Sequence, residues 1–435
     1  MKNSALTKAI TEDLLDFLDN SPTSEWAVKN LSEKLGQEGF HRLEESKKFE
    51  VRPGEKFYLV KEDSSLLAGI VGNENLSQNG FKIIGAHTDS PGFKVKHDGM
   101  YEKEGYKQLG VEIYGGPLIA SWTDRDLSLA GKVALGKEGD IVTKLWKGDE
   151  NLLRISQLPI HLNREVNDEG LKFDKEKHLP PVIGQTRGDN FSREDIKELI
   201  AVDLSVNVDE VKDFELKLYD TQPPSILGLN GEFFTSGRID NLMACFSAIE
   251  SLLEVDTVPA STEIVTLFDN EEVGSNTTKG GASPFLPNIL ERIALSLGLN
   301  REDFLVGLTN SFILSVDGAH AAHPNYPDEY EKNHKVKLNG GPVIKLNANQ
   351  KYVTDPKNTA EFKNICDNAD VPSQVFVNRA DKPSGSTIGP ITATRTGIRT
   401  MDIGPPMASM HSVREMGGAK DTFYLKKAIS EYLES

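Results

Sequence analysis

The run Glu263-Ile264-Val265-Thr266-Leu267-Phe268 reads as a buried β-strand, and it leads straight into Asp269-Asn270-Glu271-Glu272-Val273-Gly274-Ser275. Gly274, with Gly280-Gly281 after it, supplies turn chemistry just beyond the strand. In open α/β sheets ligands collect outside the carboxyl ends of strands, so adjacent carboxylates at that point carry a functional meaning that a helix face would not give them. A Glu-Glu pair alone says little in an acidic protein. This one has company, because four further segments place a metal-capable side chain in the same way. They are Gly85-Ala86-His87-Thr88-Asp89-Ser90-Pro91, Gly237-Arg238-Ile239-Asp240-Asn241, Ser315-Val316-Asp317-Gly318-Ala319-His320 and Ser409-Met410-His411-Ser412.

The surrounding texture predicts where these segments sit. Residues 5–45 read as helical, with a break at Asn20-Ser21-Pro22-Thr23-Ser24 that caps a second helix from about Glu25. Short strands follow near 57–60, 67–71 and 81–85. From about 95 to 235 the pattern changes to alternating β-runs such as Val111-Glu112-Ile113-Tyr114 and Ile141-Val142-Thr143-Lys144-Leu145-Trp146. After Asp240 the apolar positions Leu242, Cys245, Phe246, Ile249, Leu252 and Leu253 recur three and four apart, as one helix face requires. Strands near 311–316, 342–346, 374–378 and 399–403 then alternate with helices near 286–298 and 421–434. The expected fold class is α/β, a mixed sheet with helices on both faces built from 1–94 and 236–435, with a β-rich domain inserted at 95–235.

With 435 residues and 38% hydrophobic content the chain can bury a full core in each of two domains. Its 66 acidic and 49 basic residues give a formal charge of -17, which argues against nucleic acid or an anionic membrane as partner, since both demand clustered cations. Two cysteines, Cys245 and Cys366, make no disulfide framework and suit a reducing compartment, so a cytoplasmic location is expected. Glu12, Asp13 and Asp16 interrupt any secretory apolar core near the start, so no signal peptide is expected. No apolar run approaches the roughly 20 residues that a membrane span needs.

Imidazole and carboxylate suit zinc and other divalent first-row ions, and one carboxylate can bridge two of them, so the five segments predict a two-metal site. Asp240, Glu272 and Asp317 against two dications leave a single charge for a hydroxide to balance. Clustered carboxylates without a cation would raise one another's pKa values and cost stability. Asp89, two residues after His87, is placed to orient the imidazole, and Glu271, beside Glu272, is the natural general base.

Blander readings compete at several positions. Asp240 alone would be a helix N-cap. Asp317 could be a turn residue, with His320 and His323 as rival ligands. His97, His178 and His334 read as polar surface. The pairs Gly280-Gly281, Gly340-Gly341 and Gly417-Gly418 read as turns rather than phosphate loops, and Cys245 as inert core.

Taken in order, these motifs resemble the aspartyl aminopeptidase family of co-catalytic two-zinc metallopeptidases, along essentially the whole chain. The resemblance implies that one metal takes His87 and Asp317 and the other Glu272 and His411, with Asp240 shared and Glu271 as base. Two divalent ions per subunit are implied, Zn2+ first, with Co2+ or Mn2+ as alternatives. Leu158-Pro159-Ile160-His161-Leu162-Asn163-Arg164 is similar to the family segment that carries a histidine into a neighbouring subunit's active site, which makes His161 a substrate contact. Gly341-Pro342-Val343-Ile344-Lys345-Leu346-Asn347 is similar to the segment whose lysine meets the acidic side chain of the substrate. Ser384-Gly385-Ser386-Thr387-Ile388-Gly389-Pro390 matches a pocket loop, so Gly385 and Ser386 join the substrate contacts. The chain departs from the family at Ser24-Glu25-Trp26 and at Ser384, where a cysteine is common. The implied activity is release of N-terminal Asp or Glu from peptides with a free N-terminus. The implied assembly is a homo-oligomer of dimers, up to a tetrahedral dodecamer, with the inserted domain serving dimerisation. A two-metal aminopeptidase or deacylase preferring neutral side chains is the alternative. A noncatalytic assembly protein would be expected to have lost Glu271 or a ligand.

Overall fold

The computed structural model describes residues 2–137, 139–148, 151–186, 188 and 190–435. Packing divides the chain into two units, one of residues 1–90, 224–410 and 415–435, the other of residues 91–223 with 411–414.

The first unit is built on a nine-stranded mixed sheet. Its strands run in the order His41–Arg42, Lys56–Lys61, Ser65–Ile70, Thr262–Phe268, Phe81–His87, Phe312–Val316, Arg399–Gly404, Val343–Leu346 and Gln374–Val377. The central strands Thr262–Phe268, Phe81–His87, Phe312–Val316 and Arg399–Gly404 are parallel. They read as continuous apolar runs because both faces are covered and side chains alternate between them. Ile84, Val265 and Leu314 point into a core with Leu14, Leu31, Leu242, Ile249 and Leu425 of four helices. Their neighbours Ile83, Ile264 and Ile313 point the other way, against Ile289, Ile293, Phe304 and Ile388. The mixed α/β architecture read from the sequence is therefore the one observed.

Local differences have local causes. The second helix stops at Gln37, short of residue 45, with Gly39 at φ +84° just beyond it, and His41–Arg42 is already sheet. Helices Arg301–Thr309, Pro356–Asn368 and Ile388–Thr396 were not anticipated, and the last begins inside the stretch read as a pocket loop. Gly417 and Gly418 are strand rather than turn. A Cβ on Gly417 would lie 2.4 Å from the Phe234 ring, so glycine lets the strand close onto that ring. Glu415–Gly418 pairs with Phe233–Ser236, which in turn pairs with Ser225–Leu227, and this holds residues 224–236 in the first unit.

The second unit is a six-stranded sheet, every pair antiparallel, in the order Asp140–Lys147, Leu127–Lys137, Val211–Asp220, Gly92–Lys103, Tyr106–Tyr114 and Val182–Gln185. The helix Arg193–Leu204 buries Ile196, Ile200 and Ala201 against Leu109, Leu129, Trp146 and Leu216. No described helix in either unit is long and apolar enough to cross a membrane.

Candidate metal centre

Three parallel strands set the site of the first unit. Thr262–Phe268 pairs with Phe81–His87 in a register that places Phe268 beside His87, and Phe312–Val316 flanks the other side with Ser315 beside Gly85. Their carboxyl ends therefore deliver His87, Glu271 with Glu272, and Asp317 to one edge of the sheet. Gly404 lets the adjacent strand pass close by, since a Cβ there would lie 1.6 Å from the Asp317 carbonyl oxygen.

His87 is 1% exposed, and its Nδ1–H donates to the Asp89 carbonyl at 3.0 Å. That bond turns Nε2, the nitrogen a metal would take, towards the carboxylates, 3.5 Å from Asp240 Oδ1 and 3.4 Å from Asp317 Oδ1. His87, Asp240 and Asp317 offer ligand atoms within 4.8 Å of one another, as do His87, Glu271 and Glu272. Asp240 caps no helix: Arg238 is the N-cap, and Asp240 itself has non-helical φ -79° and ψ 109°, followed by a cis peptide bond to Asn241. Its main chain is pinned by the Glu415 carboxylate, which accepts the Asp240 N–H at 3.0 Å, and by the Ser90 hydroxyl, which donates to its carbonyl at 2.6 Å.

The Asp89 carboxylate does more than face the imidazole. Its Oδ1 lies 3.4 Å from His87 Nδ1, while its two oxygens accept the backbone N–H groups of Glu271 and Glu272, each at 3.1 Å. One fully buried carboxylate thus ties the histidine strand to the turn that presents the glutamates. That turn needs left-handed backbone at Asn270, Gly274 and Ser275.

The electrostatics call for a cation. Burial is the largest influence pushing the Glu271 carboxyl up to about 8; Asp317, Glu272 and Asp89 add to it, against His87. His87 is held well above its usual value: burial works to lower it, but Asp240, Asp317 and Asp89 prevail. Lys345 is 3% exposed, its Nζ 3.5 Å from Asp317 Oδ2 and 5.4 Å from the Tyr352 ring centroid. Burial works to lower its pKa, yet Asp317, Tyr352, Asp402 and Asp240 hold it above the ordinary value. An imidazole nitrogen among carboxylate oxygens is a donor set that fits zinc.

The remaining candidates lie elsewhere. Gly385 and Ser386 are exposed just before the helix Ile388–Thr396, and no metal-capable group among the described residues of the first unit includes His320 or His323. His97 pairs with Asp98, His178 accepts the Asp174 N–H, and His334 faces Glu331. Cys245 donates to the His87 carbonyl at 3.0 Å, and burial pushes its thiol up to about 12. In the second unit His161 is exposed in a turn between Ile160 and Leu162, and the His411 Nδ1–H donates to the Gly116 carbonyl at 3.0 Å. Sequence reasoning passed over Glu415, 2% exposed, whose one signal is an acid leading into the otherwise uncharged Met416-Gly417-Gly418.

Strand ends that gather imidazole and carboxylate donors beside a buried lysine define a metal-dependent hydrolase. Residues 17–433 match the family model described as aminopeptidase I zinc metalloprotease (M18). The chain is 43% identical over 424 residues to a probable M18 family aminopeptidase 2 of Clostridium novyi, covering 97% of each. It is 40% identical to the protein of the same name from Stutzerimonas stutzeri, covering 98% of each. Among solved structures, it is similar to a chain in the cryo-EM structure of the Ape4 and Nbr1 complex, with a TM-score of 0.96 and 38% identity, covering 99% of this chain and 86% of that one. The crystal structure of prApe1 gives a TM-score of 0.92 and 30% identity, with 98% and 94% covered. The chain belongs to the M18 family of aminopeptidases, which are zinc metallopeptidases.

Proposed function

We propose that the protein releases N-terminal Asp or Glu from peptides, using two zinc ions and Glu271 as general base. The observation that carries the acidic preference is Lys345, a buried ammonium 3.5 Å from Asp317 inside the same cluster. His87 and Asp317 would hold one ion and Glu272 and His411 the other, with Asp240 shared; Co2+ or Mn2+ would satisfy the same donors. When bound, the ions would lower the pKa of a water towards neutrality and polarise the scissile carbonyl. Glu271 takes the proton of the attacking water and returns it to the leaving amine. Asp89 keeps Glu271 and Glu272 in place through their backbone N–H groups. With Asp317 engaged as a metal ligand, its claim on Lys345 would weaken, and the Lys345 ammonium would be the group that meets the acidic side chain of the substrate. The charge of -17 does not repel such a substrate from the pocket, because screening over roughly 8 Å leaves the nearby groups in command.

The homo-oligomer belongs to the same proposal. One similar solved structure is that of an S. cerevisiae mApe1 dodecamer. His161 stands among Leu158, Ile160 and Leu162, which are 58%, 46% and 72% exposed, as a segment destined for another subunit's active site would be. The unit of residues 91–223 is the proposed dimerisation module. A sedimentation profile of monomer alone at working concentration would remove this part.

Glu271→Gln should keep its zinc and lose turnover by a factor on the order of 100 to 10,000, whereas Glu272→Gln should lose zinc. Equal metal loss in both would end the division of roles. Lys345→Met should weaken hydrolysis of Asp- and Glu-terminated peptides far more than of Leu-terminated ones. An equal fall would favour the neutral-preferring alternative.

A further inference from the structure

Lys345 has a second carboxylate at its level. The antiparallel register pairs Val343 with Gly404 and Ile344 with Ile403, and one more step sets Lys345 opposite Asp402. Asp402 is fully buried, sits beside Ser315 in the parallel pairing, and adds to the charges that keep Lys345 protonated. Its Oδ1 accepts the Thr387 hydroxyl at 2.6 Å and its Oδ2 the Val353 N–H at 2.8 Å. Its backbone is gripped as well, since the Asp402 N–H donates to the Thr354 hydroxyl at 3.0 Å.

Each bond anchors a segment that flanks Lys345. Thr387 is the N-cap of the helix Ile388–Thr396, yet its hydroxyl donates to Asp402 rather than accepting from its own first turn. Gly389 packs onto the same carboxylate, where a Cβ would stand 2.2 Å from Oδ1. The chain just before Thr387 is Ser384-Gly385-Ser386, the proposed pocket loop. On the other side Val353 follows Tyr352, whose ring stands over the Lys345 ammonium. Asp402 belongs to no metal-capable group among the described residues.

We infer that Asp402 is a positioning residue for side-chain selection, a buried carboxylate that fixes the Ser384–Thr387 loop and the Tyr352–Thr354 segment around Lys345. The inference rests on the proposed role of Lys345. It separates two properties that a generally structural residue would move together, namely the KM for acidic substrates and the handling of neutral ones.

The test is steady-state kinetics of the zinc-loaded enzyme on Asp-, Glu- and Leu-terminated peptides, with zinc content and melting temperature measured alongside. Thr387→Val should raise KM for the acidic pair roughly ten-fold, the worth of one buried charge-assisted hydrogen bond, and leave kcat, Leu-peptide hydrolysis and zinc content unchanged. Thr387→Ser should restore it, and Asp402→Asn should follow Thr387→Val. Uniform loss on all three peptides, or no change on any, would overturn the inference. If Asp402→Asn fails to fold, the Thr387 pair decides. If Lys345→Met itself does not separate acidic from neutral peptides, the acidic reading falls and this inference with it. If Lys345→Met separates them and Thr387→Val does not, only this inference falls.

Discussion

Stripping the metal should leave a protein whose stability falls more steeply as pH rises, because two side chains of the cluster add to the slope. Glu271 has a folded-state pKa of about 8 against an ordinary 4.5, chiefly through burial and then through its acidic neighbours. A carboxyl raised in this way keeps its proton longer in the folded chain than in the unfolded one. Its contribution to stability is therefore lost between pH 4.5 and about 8. His87 is raised as well, so its stabilising contribution is full below 6.5 and lost as pH climbs through its higher folded value. Each such proton changes stability by about 1.4 kcal/mol per pH unit. Of these two groups Glu271 alone contributes up to pH 6.5 and both contribute above it, so their share of the slope rises from about 1.4 to about 2.7 kcal/mol per unit.

Zinc on His87, Asp240, Glu272 and Asp317 would displace the His87 proton and offset the acidic charges that add to the burial of Glu271, and it would bind more tightly as its ligands lose protons. The gap in melting temperature between zinc-loaded and chelated protein should accordingly widen from about pH 5 to about pH 8, by thermal unfolding in parallel buffers. The difference is the right readout, because Glu263, raised by burial to about 7, and Asp421, raised by burial to about 8, lose stability with rising pH in both forms. Glu271→Gln should take one proton out of the chelated slope and leave that of His87. A gap that stays constant across this range would refute the reasoning, since the cluster would then hold no charge in need of a cation.

Other perturbations follow from single contacts. Gly404→Ala would drive a Cβ to 1.6 Å from the Asp317 carbonyl, so a loss of about 3 kcal/mol or more in chemical denaturation and a fall in bound zinc are expected. The Asp421 carboxylate accepts the N–H groups of Asn339 and Gly341 at 2.6 and 2.9 Å. Asp421→Asn should flatten the loss of stability between pH 5 and 8 by about 1.4 kcal/mol per unit, in loaded and chelated protein alike.

The parts of the fold legible in the sequence were those with one physical requirement. The central strands are apolar on both faces, so Thr262–Phe268 and Phe312–Val316 announce themselves, and whatever follows them stands at the sheet edge. That is why His87, Glu271, Glu272 and Asp317 could be nominated before any geometry was known. The helix Pro356–Asn368 buries only Asn358, Phe362 and Cys366, too thin a stripe to show as a period, although Asp355-Pro356 supplies a proper start signal. Asp402 gives no signal and Glu415 only its place before an uncharged Met416-Gly417-Gly418, because what distinguishes them is tertiary. The donor that Glu415 satisfies lies 175 residues away, and Asp402 looks in sequence like any acid in a strand.

Asp89 shows that a residue's neighbour in sequence is only part of what its side chain serves. The spacing from His87 assigns the carboxylate to the imidazole, and its Oδ1 lies 3.4 Å from Nδ1, while the nearer partner of Nδ1, at 3.0 Å, is the Asp89 carbonyl. With the backbone supplying the shorter bond, both carboxylate oxygens also accept the amides of Glu271 and Glu272, more than 180 residues onward. A peptide carbonyl needs no particular side chain, whereas holding two consecutive N–H groups needs two acceptors on one rigid plane, which a short carboxylate provides and an amide does not. An Asp at position 89 therefore serves the glutamate turn as well as the histidine. The proposed base and its neighbouring ligand share one anchor, and a change at Asp89 should disturb them together.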